Sequence, residues 1–137
     1  MRPVSLAEVI DATRSEIWIP LAEFMDEFYM LHGDNAGQQG MIDDEPHVIG
    51  DETVDAYIAA VAEHLALRWG LSVPEWVNSE ERAGPSEPFF RPDTPTMRGQ
   101  YLVESPFPFK KRNIFTNREP LQRARWPQSE AKIEPLF

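Results

Sequence analysis

With 137 residues, a formal charge of −10 and no cysteine, the chain has the size of one domain and excludes disulfide frameworks, thiolate nucleophiles and sulfur-ligated zinc, which suits a reducing, cytoplasmic setting. Its charge is uneven: residues 1–80 hold 16 Asp and Glu against 3 Arg (−13), and residues 81–137 hold 7 acids against 10 Lys and Arg (+3). An acidic body repels nucleic-acid phosphates and steers basic proteins towards it, and neither a signal-peptide pattern nor an apolar run long enough to span a bilayer is present, so secretion and membrane insertion are not expected.

Ser5-Leu6-Ala7-Glu8 has the form of a capping box, in which the serine hydroxyl and the Glu8 carboxylate each satisfy the other's backbone amide. A helix is predicted from there to about Glu16, with a break before Pro20, which lacks an amide. Leu21, Phe24, Met25 and Phe28 then line one face of a second helix that runs to about Leu31 and stops at Gly33. Residues 34–50 mix glycines, amides and three successive acids without a usable period and are expected to form a loop, with at most one helical turn. Asp51 is a good N-cap for a third helix, in which Val54, Tyr57, Ile58, Val61, Leu65 and Trp69 form an apolar stripe before Gly70. That stripe is expected to pack on the Phe24 and Phe28 face.

Pro74 opens a short helix through Trp76 and Val77. The prolines at 85, 88, 92 and 95 exclude helix interiors and central strands, so an irregular strap is predicted there, pinned by Phe89 and Phe90. A short helix is expected over Thr96–Glu104, carried by Met97, Tyr101 and Leu102 and capped by Thr94 or Thr96. One more turn follows from Ser105-Pro106, and a last helical segment over Glu119–Arg125. The fold expected is all-α, a small irregular helical bundle forming a single domain over 1–126, with a proline-rich strap and a partly mobile tail over 127–137.

Little in the chain resembles catalytic machinery. His32, His47 and His64 are the only histidines. The run Asp43-Asp44-Glu45-Pro46-His47 lacks the spacing of a metal site and reads as solvated loop acids. Glu63-His64 lies beside the apolar stripe. No phosphate-binding glycine loop or nucleophile elbow occurs, so no catalytic residue, metal or cofactor is assigned, and the chain is read as not an enzyme.

The most unusual stretch runs from Glu104 to Phe115, where Phe107, Phe109, Lys110, Lys111, Arg112, Asn113 and Phe115 interleave aromatic and cationic side chains, with Arg118 close behind. Such a segment can dock a protein partner. It can also stack bases and neutralise phosphates along a track continued by Arg123 and Arg125, or bury its aromatics and leave the cations on a rim. These eight residues are the candidate partner-binding set.

The run Glu104-Ser105-Pro106, then Phe109-Lys110-Lys111-Arg112-Asn113-Ile114-Phe115, and later Pro120-Leu121 to Ala124, resembles a bacterial domain with the signature "ESPxxFRRRNIF". Ile17–Tyr29, Tyr57–Leu71 and Val73-Pro74-Glu75-Trp76 are similar to its other blocks. That domain occurs alone or behind a DNA-binding helix-turn-helix, often beside a gene for a nucleotidyltransferase-like toxin. The resemblance implies an antitoxin-like or regulatory partner protein and supplies no catalytic residues. Lys110 and Lys111 replace arginines of the signature, which leaves planar bidentate recognition to Arg112 alone. Residues 1–31 lack a helix-turn-helix pattern, so direct operator reading is not expected. The reading reached is a non-catalytic protein-binding module, an antitoxin-like partner of a basic toxin or regulator of a neighbouring gene product. The alternatives are a nucleic-acid accessory factor acting through 107–125 and an enzyme of unknown type, and homo-oligomerisation stays open.

Overall fold

The computed structural model describes residues 4–13 and 16–123. They are mostly helical, with one two-stranded parallel ladder, so the all-α expectation is right in its coarse sense and misses the ladder. Two compact units divide the chain. One takes in the described residues of 1–47, Arg68–Ser72 and those of 121–137; the other takes in Val48–Leu67 and Val73–Pro120.

In the first unit, α1 (Leu6–Ala12) starts at the anticipated capping box, with Ser5 Oγ accepting from the Glu8 amide at 3.2 Å and Glu8 Oε1 from the Ser5 amide at 2.9 Å. It ends before Glu16, and the break comes earlier than expected. Helix α2 (Trp18–Met30) begins ahead of Pro20. The proline falls in the first turn, where amides have no intrahelical acceptor and a missing donor costs nothing. Leu6, Ile10, Leu21, Phe24, Met25 and Phe28 are buried, each worth roughly 1.5–3 kcal/mol of transfer free energy.

The loop expected over residues 34–50 is corrected by α3 (Asn35–Ile42). Two glycines give it poor intrinsic propensity, and tertiary contacts override that weakness. Asp34 caps it through the Gly37 amide at 2.9 Å, Met41 and Ile42 are buried, and the Gln39 amide makes a two-way clasp with the Ser72 backbone at 2.8 and 2.9 Å. Trp69 closes an aromatic group with Phe28 and Tyr29, both ring centroids lying 6.0 Å from its own. The Tyr29 hydroxyl donates to the Leu121 carbonyl at 2.8 Å, and Arg123 grips Asp26 at 2.9 and 3.2 Å.

Helix α4 (Glu52–Trp69) starts as predicted, with Asp51 Oδ1 accepting from the amides of Thr53 and Val54 at 3.0 and 3.1 Å, and Gly70 follows it at a φ of 70°. It is buried well beyond the expected stripe, because Ala56, Ala59, Ala60, Ala62 and Ala66 are covered as well as Tyr57, Ile58, Val61 and Leu65. Its first sixteen residues belong to the second unit and its last two to the first.

The rest of the second unit is short pieces. Single 3-10 turns occupy Glu75–Asn78 and Glu80–Arg82, the first where Pro74 suggested a helix. The strap is irregular except at β1 (Phe89–Phe90). A further 3-10 turn, Pro95–Met97, runs into α5 (Arg98–Glu104), with Thr94 at its N-cap but making no side-chain bond there. Then come α6 (Phe107–Lys110) and β2 (Ile114–Phe115). The strands pair in parallel, Phe89 opposite Ile114 and Phe90 opposite Phe115, with amide bonds of 3.0 Å from Phe89 to Asn113 and from Arg91 to Phe115. Phe90 and Phe115 touch at 5.4 Å, so the strap is pinned by a ladder as well as by its rings. The helix expected over Glu119–Arg125 is replaced by a turn in its described part. Arg125 and the tail 127–137 lie outside the described residues.

Candidate functional site

The segment 104–118 splits into an inward and an outward set, and local geometry explains the split. Ser105 is buried at the end of α5, and its hydroxyl donates to the Tyr101 carbonyl at 2.6 Å while accepting from the Thr116 amide at 2.7 Å. This ties the start of the segment to its end. Pro106 and Pro108 lie at the N-cap and in the first turn of α6, where the absent amides are harmless. Phe109 then points inward against Tyr57, at 5.2 Å between centroids, and against the His64 ring at 5.8 Å.

Arg112 is the centre of the inward set, with only 3% of its surface exposed. Its Nη1 donates to Glu63 Oε1 at 2.9 Å and to the Pro108 carbonyl at 2.7 Å, Nη2 to the Val77 carbonyl at 2.8 Å, and Nε to the Arg82 carbonyl at 3.1 Å. Only a planar guanidinium offers donors in that fan. Burial holds its pKa below the ordinary arginine value; the Glu63 hydrogen bond and charge oppose that shift, and the nearby Arg82 adds to it. Arg82 is itself fully buried, with Nη1 at 3.2 Å from the Asp55 carbonyl and 3.7 Å from its carboxylate. Asp55 also accepts from the amides of Ile49 and Gly50 at 2.8 and 2.9 Å.

Backbone geometry locks this network. Gly84 has a φ of 107°, and a Cβ there would strike the Arg112 carbonyl. Asn113 adopts a φ of 65°, which asparagine tolerates better than most residues, and its side-chain amide holds the Pro85 carbonyl at 3.1 Å. Phe109, Arg112 and Phe115 are therefore buried in the fold, with Asn113 half-buried beside them.

Phe107, Lys111 and Arg118 remain outside, and Lys110 is half-buried. Phe107 is 64% exposed, and beside it α5 presents Val103 and Leu102, 76% and 47% exposed. Lys110 Nζ donates to the Val103 carbonyl at 3.1 Å, and Lys111 Nζ sits 5.4 Å from the Phe107 ring centre while pairing with Glu63 at 2.9 Å. Arg118 lies 3.6 Å from Glu104. Three exposed apolar side chains thus lie on α5 and α6, with Lys110 at Val103 and Lys111 at Phe107.

Sequence reasoning missed Glu63, Arg82 and Asp55, because no local pattern marks a surface-type residue as one that closes a distant ion pair. Of Met97, Tyr101 and Leu102, which carried the expected helix, Tyr101 is buried and Leu102 is exposed. A signal was available: Tyr101, Leu102 and Val103 are consecutive on a helix and fan over about 200°, so burying Tyr101 turns the other two away.

Of the three histidines, His32 and His47 are exposed, and His47 Nδ1 lies 2.7 Å from Asp11, whose backbone and side-chain hydrogen bonds from His47 hold its carboxyl below the usual aspartate value. Burial pushes the Tyr57 phenol up to about 12, against the opposing influence of Arg91. No group of three or more potential metal ligands occurs among the described residues, and no helix there is long and apolar enough to cross a membrane. Comparison with family models, curated proteins and solved structures finds no match to this chain.

Proposed function

We propose that the chain is a non-catalytic protein-binding module that engages its partner through the outward face of α5 and α6. The observation that carries this reading is the patch of Leu102, Val103 and Phe107 edged by Lys110 and Lys111. Large apolar side chains left this exposed within six residues of one another favour a recognition surface, and an aromatic anchor beside charged residues is the usual composition of a binding hot spot. The antitoxin-like role in the cytoplasm is supported by the resemblance of the 104–115 signature and by charge: the described residues of the first unit hold ten acids against two arginines, which attracts basic groups of a partner to that unit, while Lys110 and Lys111 suit acidic groups at the α5 and α6 face.

The nucleic-acid reading draws less support. Of its cation track, Arg112 is internal, Lys111 is committed to Glu63 and Arg123 to Asp26, and Arg118 lies beside Glu104, which leaves few charges to displace counterions from phosphates.

Phe107→Asp and Val103→Asp test the proposal, since both positions are exposed and the fold tolerates a charge there. Co-purification of the genetic neighbour's product with the wild-type chain, lost in both variants at unchanged melting temperature, is the expected result. Undiminished co-purification of both variants would refute the assigned face.

A further inference from the structure

A second recognition site lies in the first unit. Helices α1 and α2 leave an open cleft of about 480 Å³ between them, lined by Val4, Glu8, Val9, Ala12, Thr13, Pro20, Glu23, Phe24 and Glu27. The lining follows helical spacing: Pro20, Glu23, Phe24 and Glu27 are one face of α2, and Glu8 with Ala12 and Val9 with Thr13 are neighbouring rows on α1. Phe24 is the buried apolar member, Val9 and Pro20 are half-buried, and Glu23 and Glu27 on the same face of α2 are exposed.

We infer that this cleft receives a basic, apolar-faced segment of a partner protein, whose aliphatic side chains enter between the helices and whose lysines or arginines meet Glu23 and Glu27. This deepens the protein-binding reading and rests on it. The charges identify the occupant. Glu23 and Glu27 are four residues apart on one helix, a like-charged pair that opposes helix formation, and Glu23 has no hydrogen bond or ion-pair partner among the described residues. Among the described residues, the Glu27 carboxylate accepts from the Val4 amide, at 3.2 Å. The volume falls within the range of about 300–1,000 Å³ typical of ligand sites. It accommodates the anchoring side chains of one turn or two, with the rest of the segment lying in the open.

The unit's overall negative charge attracts any polycation, so the test must separate seating from general attraction. The ¹⁵N-labelled full chain is titrated at low salt with two synthetic peptides of equal charge, an amphipathic Leu/Lys helix former and a Ser/Lys peptide. The Leu/Lys peptide is expected to shift amides of residues 4–13 and 20–27 saturably, and the Ser/Lys peptide to bind at least about tenfold more weakly, the difference that one apolar anchor makes. Ala12→Arg, an exposed position at the cleft, and Glu23→Lys are each expected to weaken the Leu/Lys peptide by about tenfold, with the folded spectrum unchanged. Phe107→Asp is expected to leave it unaffected, which separates this cleft from the α5 and α6 face. Equal affinity for both peptides, shifts spread over the acidic surface or centred on α5 and α6, insensitivity to Ala12→Arg, or no saturable shift would each overturn the inference.

Discussion

Replacing Arg112 by lysine keeps the charge and removes the fork. In the native structure four hydrogen bonds of 2.7–3.1 Å leave the guanidinium for the Glu63 carboxylate and the carbonyls of Val77, Arg82 and Pro108. A single ammonium cannot reach acceptors arrayed around three nitrogens. If it keeps Glu63 and one carbonyl, two buried carbonyls lose their donor, at about 1–3 kcal/mol each, for a total of about 2–6 kcal/mol. Alanine costs more, since it also breaks a buried ion pair, typically about 3–5 kcal/mol, although Lys111 still reaches Glu63. Against an ordinary stability of about 5–15 kcal/mol, Arg112→Lys should lower the urea midpoint by roughly 1–3 M at the slope usual for a small protein, and Arg112→Ala should unfold much of the chain. Lys111→Ala serves as the control and should cost less than Arg112→Ala, because Lys111 is only partly covered and Arg112 still neutralises Glu63. Equilibrium urea unfolding followed by far-UV circular dichroism measures all three. An Arg112→Lys midpoint equal to wild type, or Lys111→Ala as damaging as Arg112→Ala, would refute the view that Arg112 acts by clasping three backbone segments.

Gly84→Ala should destabilise by about 1–3 kcal/mol, the cost of a strained φ, and by more if the Arg112 carbonyl cannot retreat from the new Cβ. Gly40→Ala, in α3 with open space around it, should instead stabilise by about 0.4–1 kcal/mol; thermal melts that gave both glycines the same sign would contradict this. The Asp11 carboxyl should titrate below 3.8 by NMR and return towards that value in His47→Ala. Because the folded value is the lower one, this contact stabilises the fold above pH 3.8 and is lost as pH falls through the folded pKa; the pair is exposed, so its contribution is small. The Tyr57 phenol should ionise near 12 in an ultraviolet titration. The unfolded tyrosine ionises first, at about 10, so stability should fall as pH rises from 10 towards 12, and an ordinary midpoint would show that Tyr57 is less enclosed than described.

The helices were legible wherever the chain encodes its own boundaries. Ser5 and Glu8, Asp51, Gly33 and Gly70 mark ends by local hydrogen bonding and backbone freedom, which neighbouring residues suffice to reveal. Helix α3 was not legible, because its support comes from Asp34 capping, Met41 and Ile42 burial and the distant Ser72 backbone. The β1–β2 ladder was hidden in the same way: two-residue strands have no period, and their pairing depends on the clasp between Ser105 and Thr116 and the turn at Asn113. The basic aromatic segment was recognisable as unusual. Its division was not, since Arg112 and Lys111 are adjacent and alike in type, and only the position of Glu63 and three carbonyls sends the first inward and leaves the second at the rim.

Site-specific photo-crosslinking addresses the binding face directly. A benzophenone amino acid is placed at Val103, at Phe107 and, as a control, at Asn78, an exposed polar position, and the chain is expressed in its own host and irradiated. The α5 and α6 face predicts one heterologous adduct of constant mass at positions 103 and 107 and none at 78. Adducts absent from both patch positions, or formed equally at Asn78, would contradict it.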